Sequence, residues 1–169
     1  MKTRRSLATL FVIVFVDLLG FGMVFPVMAL YAERLGAPES QIGWLMSGYS
    51  AMQFLFTPIW GRLSDRLGRR PLLLLSIAMT ALAFLGYAVA PSFGWLLASR
   101  LFAGAGTANI AIAQAYIADV TPPEGRARGM GLIGAAFGLG FVLGPAMGGL
   151  LSSVSLAAPG YAAAALAAA

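Results

Sequence analysis

The sequence predicts an all-α membrane protein: a bundle of six transmembrane helices, with the sixth cut short. Three observations predict it. Sixty per cent of the 169 residues are hydrophobic and 10% are charged, where a soluble domain carries about a quarter charged residues. Mean hydropathy is +0.86. The apolar residues also fall in runs of about twenty, the length that crosses the hydrocarbon core as a helix.

The runs place spans at 7–31, 41–60, 71–90, 93–117 and 129–151, with a sixth starting at 159 and reaching 169. The first run is longer than a signal-peptide core and lacks a small-x-small cleavage site, so it is expected to stay as a span. The closing "YAAAALAAA" is too short to cross. Alanine is the best helix former, so it reads as the start of a truncated sixth helix rather than as a loose tail. Residues 1–169 thus form one transmembrane bundle.

Nine of the eleven Lys/Arg lie in the short segments between runs. Lys2, Arg4 and Arg5 precede the first span, Arg62, Arg66, Arg69 and Arg70 follow the second, and Arg126 and Arg128 follow the fourth. The other side holds Arg34 with Glu33 and Glu39. By the positive-inside rule the N-terminus is cytoplasmic. The net charge of +5 is therefore a topology signal, and no nucleic-acid partner is expected. The chain has no Cys and no His, which excludes disulfides, thiolate chemistry and imidazole metal sites. The connections are too short for a soluble domain, so function must sit among the helices.

Two ionisable residues interrupt the spans. Asp17 lies about ten residues into the first, ~15 Å deep at ~1.5 Å per residue, and Arg100 lies in the outer third to middle of the fourth. Each costs roughly 2.5–3.5 kcal/mol at a helix centre, and such residues usually face a bundle interior or an aqueous path. A mutual salt bridge tying helices together is the plainer reading. An apolar pair would serve that purpose as well, and a carboxylate can shed its charge by taking a proton while arginine cannot. The expected roles are proton exchange at Asp17 and electrostatic bias from Arg100. Asp17-Leu-Leu-Gly20-Phe-Gly22 and Arg100-Leu-Phe-Ala-Gly104-Ala-Gly106 each set a charge before Gly-x-Gly, three spans apart and in opposite orientation. That is a faint echo of inverted three-helix repeats. Phe21, Gln53, Asn109 and Gln114 are candidate cavity residues. The polar three serve equally well as interhelical hydrogen bonds, and Phe21, with Met23, Phe25 and Met28, equally well as packing.

The run 129–149 holds eight glycines, including Gly140, Gly144, Gly148 and Gly149 around Pro145. Gly-x-x-x-Gly first reads as a close-packing face. Pro145 adds an expected bend, and with it a smooth surface on which two halves rock. The turn Gly61–Arg70 concentrates five charges. Gly61 and Gly68 allow close approach or left-handed backbone. Asp65 is placed to cap a helix terminus, and Asp119 to pair with one of the arginines.

Gly61-Arg-Leu-Ser-Asp65-Arg66-Leu-Gly68-Arg69-Arg70 resembles the signature loop of the major facilitator superfamily, and within it that of the 12-helix drug:proton antiporters, including the tetracycline exporters. "FVDLLGFGMVFPV", "LLASRLFAGAG", "GLGFVLGPAMGG" and "YIADVTPPEGRARGMG" are similar to that family's first-helix, fourth-helix, fifth-helix and following-loop motifs. The resemblance implies the N-terminal six-helix bundle of a major facilitator fold, built of inverted 3+3 repeats. It implies alternating access with a second bundle that is absent here, and proton-driven export of a small amphipathic compound across the plasma (inner) membrane. Asp65 would cap a helix of that second bundle, and Arg69 or Arg70 would pair with Asp119. The implied partners are lipid, substrate, protons and the missing bundle or a partner chain; no cofactor is implied beyond the proton gradient. The alternative is a half-size module that works only as a dimer or with a partner supplying the second bundle. An enzyme is not expected: the spans hold no paired carboxylates, nucleophile–base set or metal cluster.

Overall fold

The computed structural model describes residues 2–169, apart from the side chains of residues 2–6. The side chains of Lys2, Arg4 and Arg5, on which the orientation argument partly rests, lie outside the described residues. The described chain is all helical: α1 (Lys2–Arg34), α2 (Glu39–Leu67), α3 (Arg69–Ala88), α4 (Phe93–Gly106), α5 (Asn109–Val120), α6 (Pro123–Ser152) and α7 (Ala158–Ala168). Four segments are long and apolar enough to cross a membrane: Leu7–Arg34, Arg69–Ala88, Phe93–Val120 and Pro123–Ser152. The 29-residue α2 is ~43 Å long at ~1.5 Å per residue, but Glu39, Arg62, Asp65 and Arg66 make it more polar. The last helix, α7, has 11 residues.

Two expectations are corrected. The charged segment after Trp60 is not a ten-residue loop: α2 continues to Leu67, and the chain reverses at Gly68 alone. Gly68 has φ +95°, a backbone that side-chain-bearing residues rarely adopt, and its N–H reaches Ser64 O at 3.1 Å. Gly61 stays helical, and a Cβ there would meet open space, so no close approach requires it. The fourth span, expected as one helix, breaks at Thr107–Ala108 into α4 and α5. Backbone groups freed among apolar neighbours need partners, and adjacent helices supply them. Trp60 Nε1 donates to Ala105 O at 2.6 Å, and Ser76 Oγ donates to Gly106 O at 2.8 Å and accepts from Ala108 N at 2.9 Å.

The packing has the symmetry that the Gly-x-Gly echo hinted at. The principal pairs are α1 with α6, α2 with α4, α3 with α7, α1 with α7, and α3 with α4. Exchanging spans one with four, two with five and three with six maps this set onto itself, taking α4 and α5 together as span four. Glycines lie at the seams. A Cβ at Gly144 would sit 2.6 Å from Gly22 Cα, one at Gly148 would strike the Met23 carbonyl, and one at Gly104 the Tyr49 carbonyl. The glycine face of α6 is thus used against α1, inside the bundle, and is not free as a surface between halves. Gly149 lies off that seam with open space beside it, and α6 runs unbroken through Pro145.

Apolar burial divides into two clusters. One gathers Leu10, Val14, Leu18, Trp60, Leu72, Ile112 and Ile133; the other gathers Leu19, Met23, Met28, Leu45, Phe84, Tyr87 and Leu96. Along each chain segment the clusters change over near Asp17, Thr80 and Arg100, which form a polar layer between them. The glycine seam gives a direct test. Gly144→Val should cost ~1–3 kcal/mol through overpacking against the Gly22 backbone, read as a lowered melting temperature in detergent. Gly149→Ala, with open space to fill, should leave the melting temperature at the starting value.

Candidate functional site

The polar layer opens into a cleft of about 210 Å³ lined by Asp17, Phe21, Tyr49, Gln53, Thr80, Arg100 and Thr107, with Phe84, Phe137 and Phe141. Asp17 and Arg100 are 8% and 2% exposed, and both reach this one cleft from different helices. They do not pair: both ion pairs among the described residues belong to Arg69. The salt-bridge reading therefore does not describe this arrangement.

Arg100 is held by aromatic faces. Its Cζ lies 5.5 Å from the Tyr87 ring centroid and 6.0 Å from that of Phe84, while Nε and Nη2 are buried without a hydrogen-bond partner. Cation–π contacts reach ~2 kcal/mol when desolvated, but a buried charge without a counter-ion is still costly. The guanidinium thus keeps unspent hydrogen-bond donors in the wall of the cleft. Asp17 instead shares a cluster with Thr80 and Asn109. Across the cleft, Gln53 Nε2 donates to Tyr49 OH at 3.4 Å, and the Phe21 ring lies tilted against Tyr49 at 5.7 Å and T-shaped against Phe141 at 6.2 Å. This wall is apolar with a polar tip, suited to a flat amphipathic molecule.

The other candidates separate. Asn109 does not line the cleft; it sits behind Asp17, in a second cavity bordered by α1, α3 and α7. Gln114 is exposed on α5, away from the cleft. Met23 and Met28 are core residues and Phe25 is exposed. Tyr49, Thr80 and Thr107 were missed. Ser76 and Thr80, four apart in the apolar run of α3, were the legible sign of one polar face.

At the basic end a second polar assembly closes around one arginine. Arg69 Nη2 meets Asp65 Oδ1 at 2.6 Å, Nε meets Asp119 Oδ2 at 2.9 Å, and Nη1 donates to Ser64 Oγ at 2.6 Å. Of the two arginines proposed for Asp119, Arg69 is the partner; Arg70 and Arg66 are exposed. Asp65 caps neither helix. It braces Arg69 one turn on, and α3 begins without a side-chain cap. Asp65 and Asp119 have side chains 63% and 55% exposed, so each pair contributes ~0–1 kcal/mol. The clasp therefore costs little to open. Arg69→Gln should speed amide hydrogen exchange at Gly68 and at the end of α5 several-fold, as loss of ~1 kcal/mol implies, and Arg70→Gln should leave it unchanged.

Comparison with known proteins gives the same picture. The Major Facilitator Superfamily profile matches residues 10–169. The chain is 43% identical to the class C tetracycline resistance protein of Escherichia coli, over 98% of this chain and 43% of that protein. It is 37% identical to the class B protein of Escherichia coli, over 92% and 39%. The crystal structure of the human organic anion transporter MFSD10 (TETRAN) superposes with a TM-score of 0.84 at 32% identity, covering 99% of this chain and 46% of that one. The chain spans less than half the length of each of these proteins. With the helix order, the inverted packing and these matches together, the chain belongs to the Major Facilitator Superfamily.

Proposed function

We propose that this chain forms the N-terminal bundle of a proton-coupled antiporter that exports small amphipathic compounds by alternating access. The observation that carries the proposal is Asp17 and Arg100 facing one cleft, buried and unpaired. An ion pair there would be a strut; two separated charges, one of which can take up a proton, form a site with two charge states. With Asp17 ionised, the cleft offers a carboxylate to a donor or cationic group of the substrate. With Asp17 protonated, that attraction is lost and the positive field of Arg100 dominates. Substrate and proton therefore compete at Asp17, the thermodynamic requirement for antiport.

A cleft of about 210 Å³ is smaller than the roughly 300–1,000 Å³ of a typical ligand pocket. This supports a site completed by a second bundle, as does the chain's coverage of under half of its relatives. In this reading the N-terminus and the Arg69 clasp lie on the cytoplasmic side of the plasma membrane, as the arginine distribution favours. The clasp shuts that side while the cleft faces outward, and its weak pairs yield on the return. The energy comes from the proton gradient, with no bound cofactor. The relatives named for tetracycline resistance support drug export as the direction.

The test is transport by the full-length protein in everted vesicles across a panel of drugs. Asp17→Asn should abolish proton-driven accumulation while leaving substrate exchange down its own gradient measurable. Arg100→Gln should weaken the coupled rate by about tenfold or more, the factor for each ~1.4 kcal/mol lost. Full coupling in Asp17→Asn, or no substrate-induced proton movement with any compound, would overturn the proposal.

A further inference from the structure

The break in the fourth span does more than interrupt a helix. Because α4 stops at Gly106, Asn109 becomes the first residue of α5 and not one more turn of α4. Ser76 of α3 fixes the break from below, through Gly106 O and Ala108 N. One turn further along α3, Thr80 takes a hydrogen bond from Asn109 Nδ2 at 3.3 Å. A hydroxyl that accepts keeps its own proton to donate, and both side chains border, with Asp17, the cavity behind the cleft. Thr80 is 4% exposed and Asn109 1%, while Asn109 Oδ1 is buried with no partner. The three residues are the polar part of the wall behind the cleft: Asp17 and Thr80 line both it and the cavity behind it, and Asn109 lines only the latter.

We infer that Asn109 and Thr80 are positioning residues for Asp17, presented to it by the break in the fourth span and holding its carboxyl in both protonation states. This deepens the reading of Asp17 as the proton carrier and rests on it. An ionised carboxylate needs donors, which the Asn109 amide N–H and the Thr80 hydroxyl supply. A protonated carboxyl needs an acceptor for its O–H, and the free Asn109 Oδ1 provides one after a half-turn of the amide. A primary amide carries both functions at full strength, which leucine and alanine lack. The other groups facing Asp17 are Arg100 from α4 and Tyr49 from α2. α6 presents Phe137 and Phe141, and α7 presents Leu166, Ala167 and Ala168, whose side chains do not titrate.

The experiment uses the full-length transporter in liposomes with tetracycline as probe, comparing Asn109→Leu, Asn109→Ala, Asn109→Ser and Thr80→Val. Three quantities are read: the Asp17 carboxyl infrared stretch, assigned by its loss in Asp17→Asn; the pH profile of proton-driven exchange; and equilibrium tetracycline affinity. In Asn109→Leu, Asn109→Ala and Thr80→Val the stretch should move and the profile midpoint should shift by about half a pH unit or more, as expected when hydrogen bonds to one protonation state are removed. Asn109→Ser should recover much of both. In the Asn109 variants affinity should stay within about twofold, since a twofold change is far below the loss of a direct substrate contact. Asn109→Ala creates no bulk and keeps the test open if Asn109→Leu misfolds. A stretch and profile both at wild-type values would overturn the inference, as would lost affinity with an unmoved profile. A wild-type protein without proton-driven exchange whose carboxyl stretch still moves in these variants would sink the antiporter reading and leave the positioning roles standing.

Discussion

A guanidinium buried to 2% exposure with no carboxylate beside it is costly to keep in a helical bundle, and much of this architecture can be read from how that cost is met. Two aromatic rings present their faces to Arg100, and the polar layer around it falls where one apolar cluster hands over to the other. A carboxylate at ion-pair distance would have been the simpler solution, and Asp17 is close enough in the fold to share the same cleft. Instead it lies with Thr80 and Asn109 on the cavity behind the cleft. Keeping the charges apart leaves both of them in the wall of one cleft.

The close approach of helices that makes this layer compact rests on missing side chains. Lipid supplies no hydrophobic drive between helices, so contact area and backbone proximity must substitute. Gly22 against Gly144, Gly148 against Met23 and Gly104 against Tyr49 put backbone on backbone. The inverted relationship appears here in energetic form: α1 meets α6 as α4 meets α2, each through glycines that follow a charged residue in the same helix. One device, used twice in opposite orientation, brings Asp17 and Arg100 to one level.

How far the sequence was legible follows from what each signal measures. Hydropathy runs found the helices because lipid exposure is averaged over about twenty residues. Charge in the connections found the basic end, and charge within the spans found Asp17 and Arg100. The break at Thr107 was hidden for the same reason: hydropathy is continuous across it, and its hydrogen-bond partners, Trp60 and Ser76, lie 45 and 30 residues away from the carbonyls they cover. Composition could not tell a ten-residue loop from a helix that ends at a single positive-φ glycine. Arg69 was separated from Arg70 only by the face of α3 on which each lies. Gln114 was misplaced because polarity at membrane depth says nothing about direction, and α5 turns it outward.

The short α5 touches both polar assemblies. At one end Asp119 is gripped by Arg69; at the other, Asn109 leans on Thr80 beside Asp17. Its 12 residues make a stiff rod of ~18 Å at ~1.5 Å per residue, joined to α4 by a two-residue joint with no helical continuity. A rod pinned at both ends and hinged at one transmits displacement rather than absorbing it. Loosening the arginine clasp frees one end of the element that presents an amide to the buried acid. One rigid element thus carries both a neighbour of the buried acid and a contact near the basic surface.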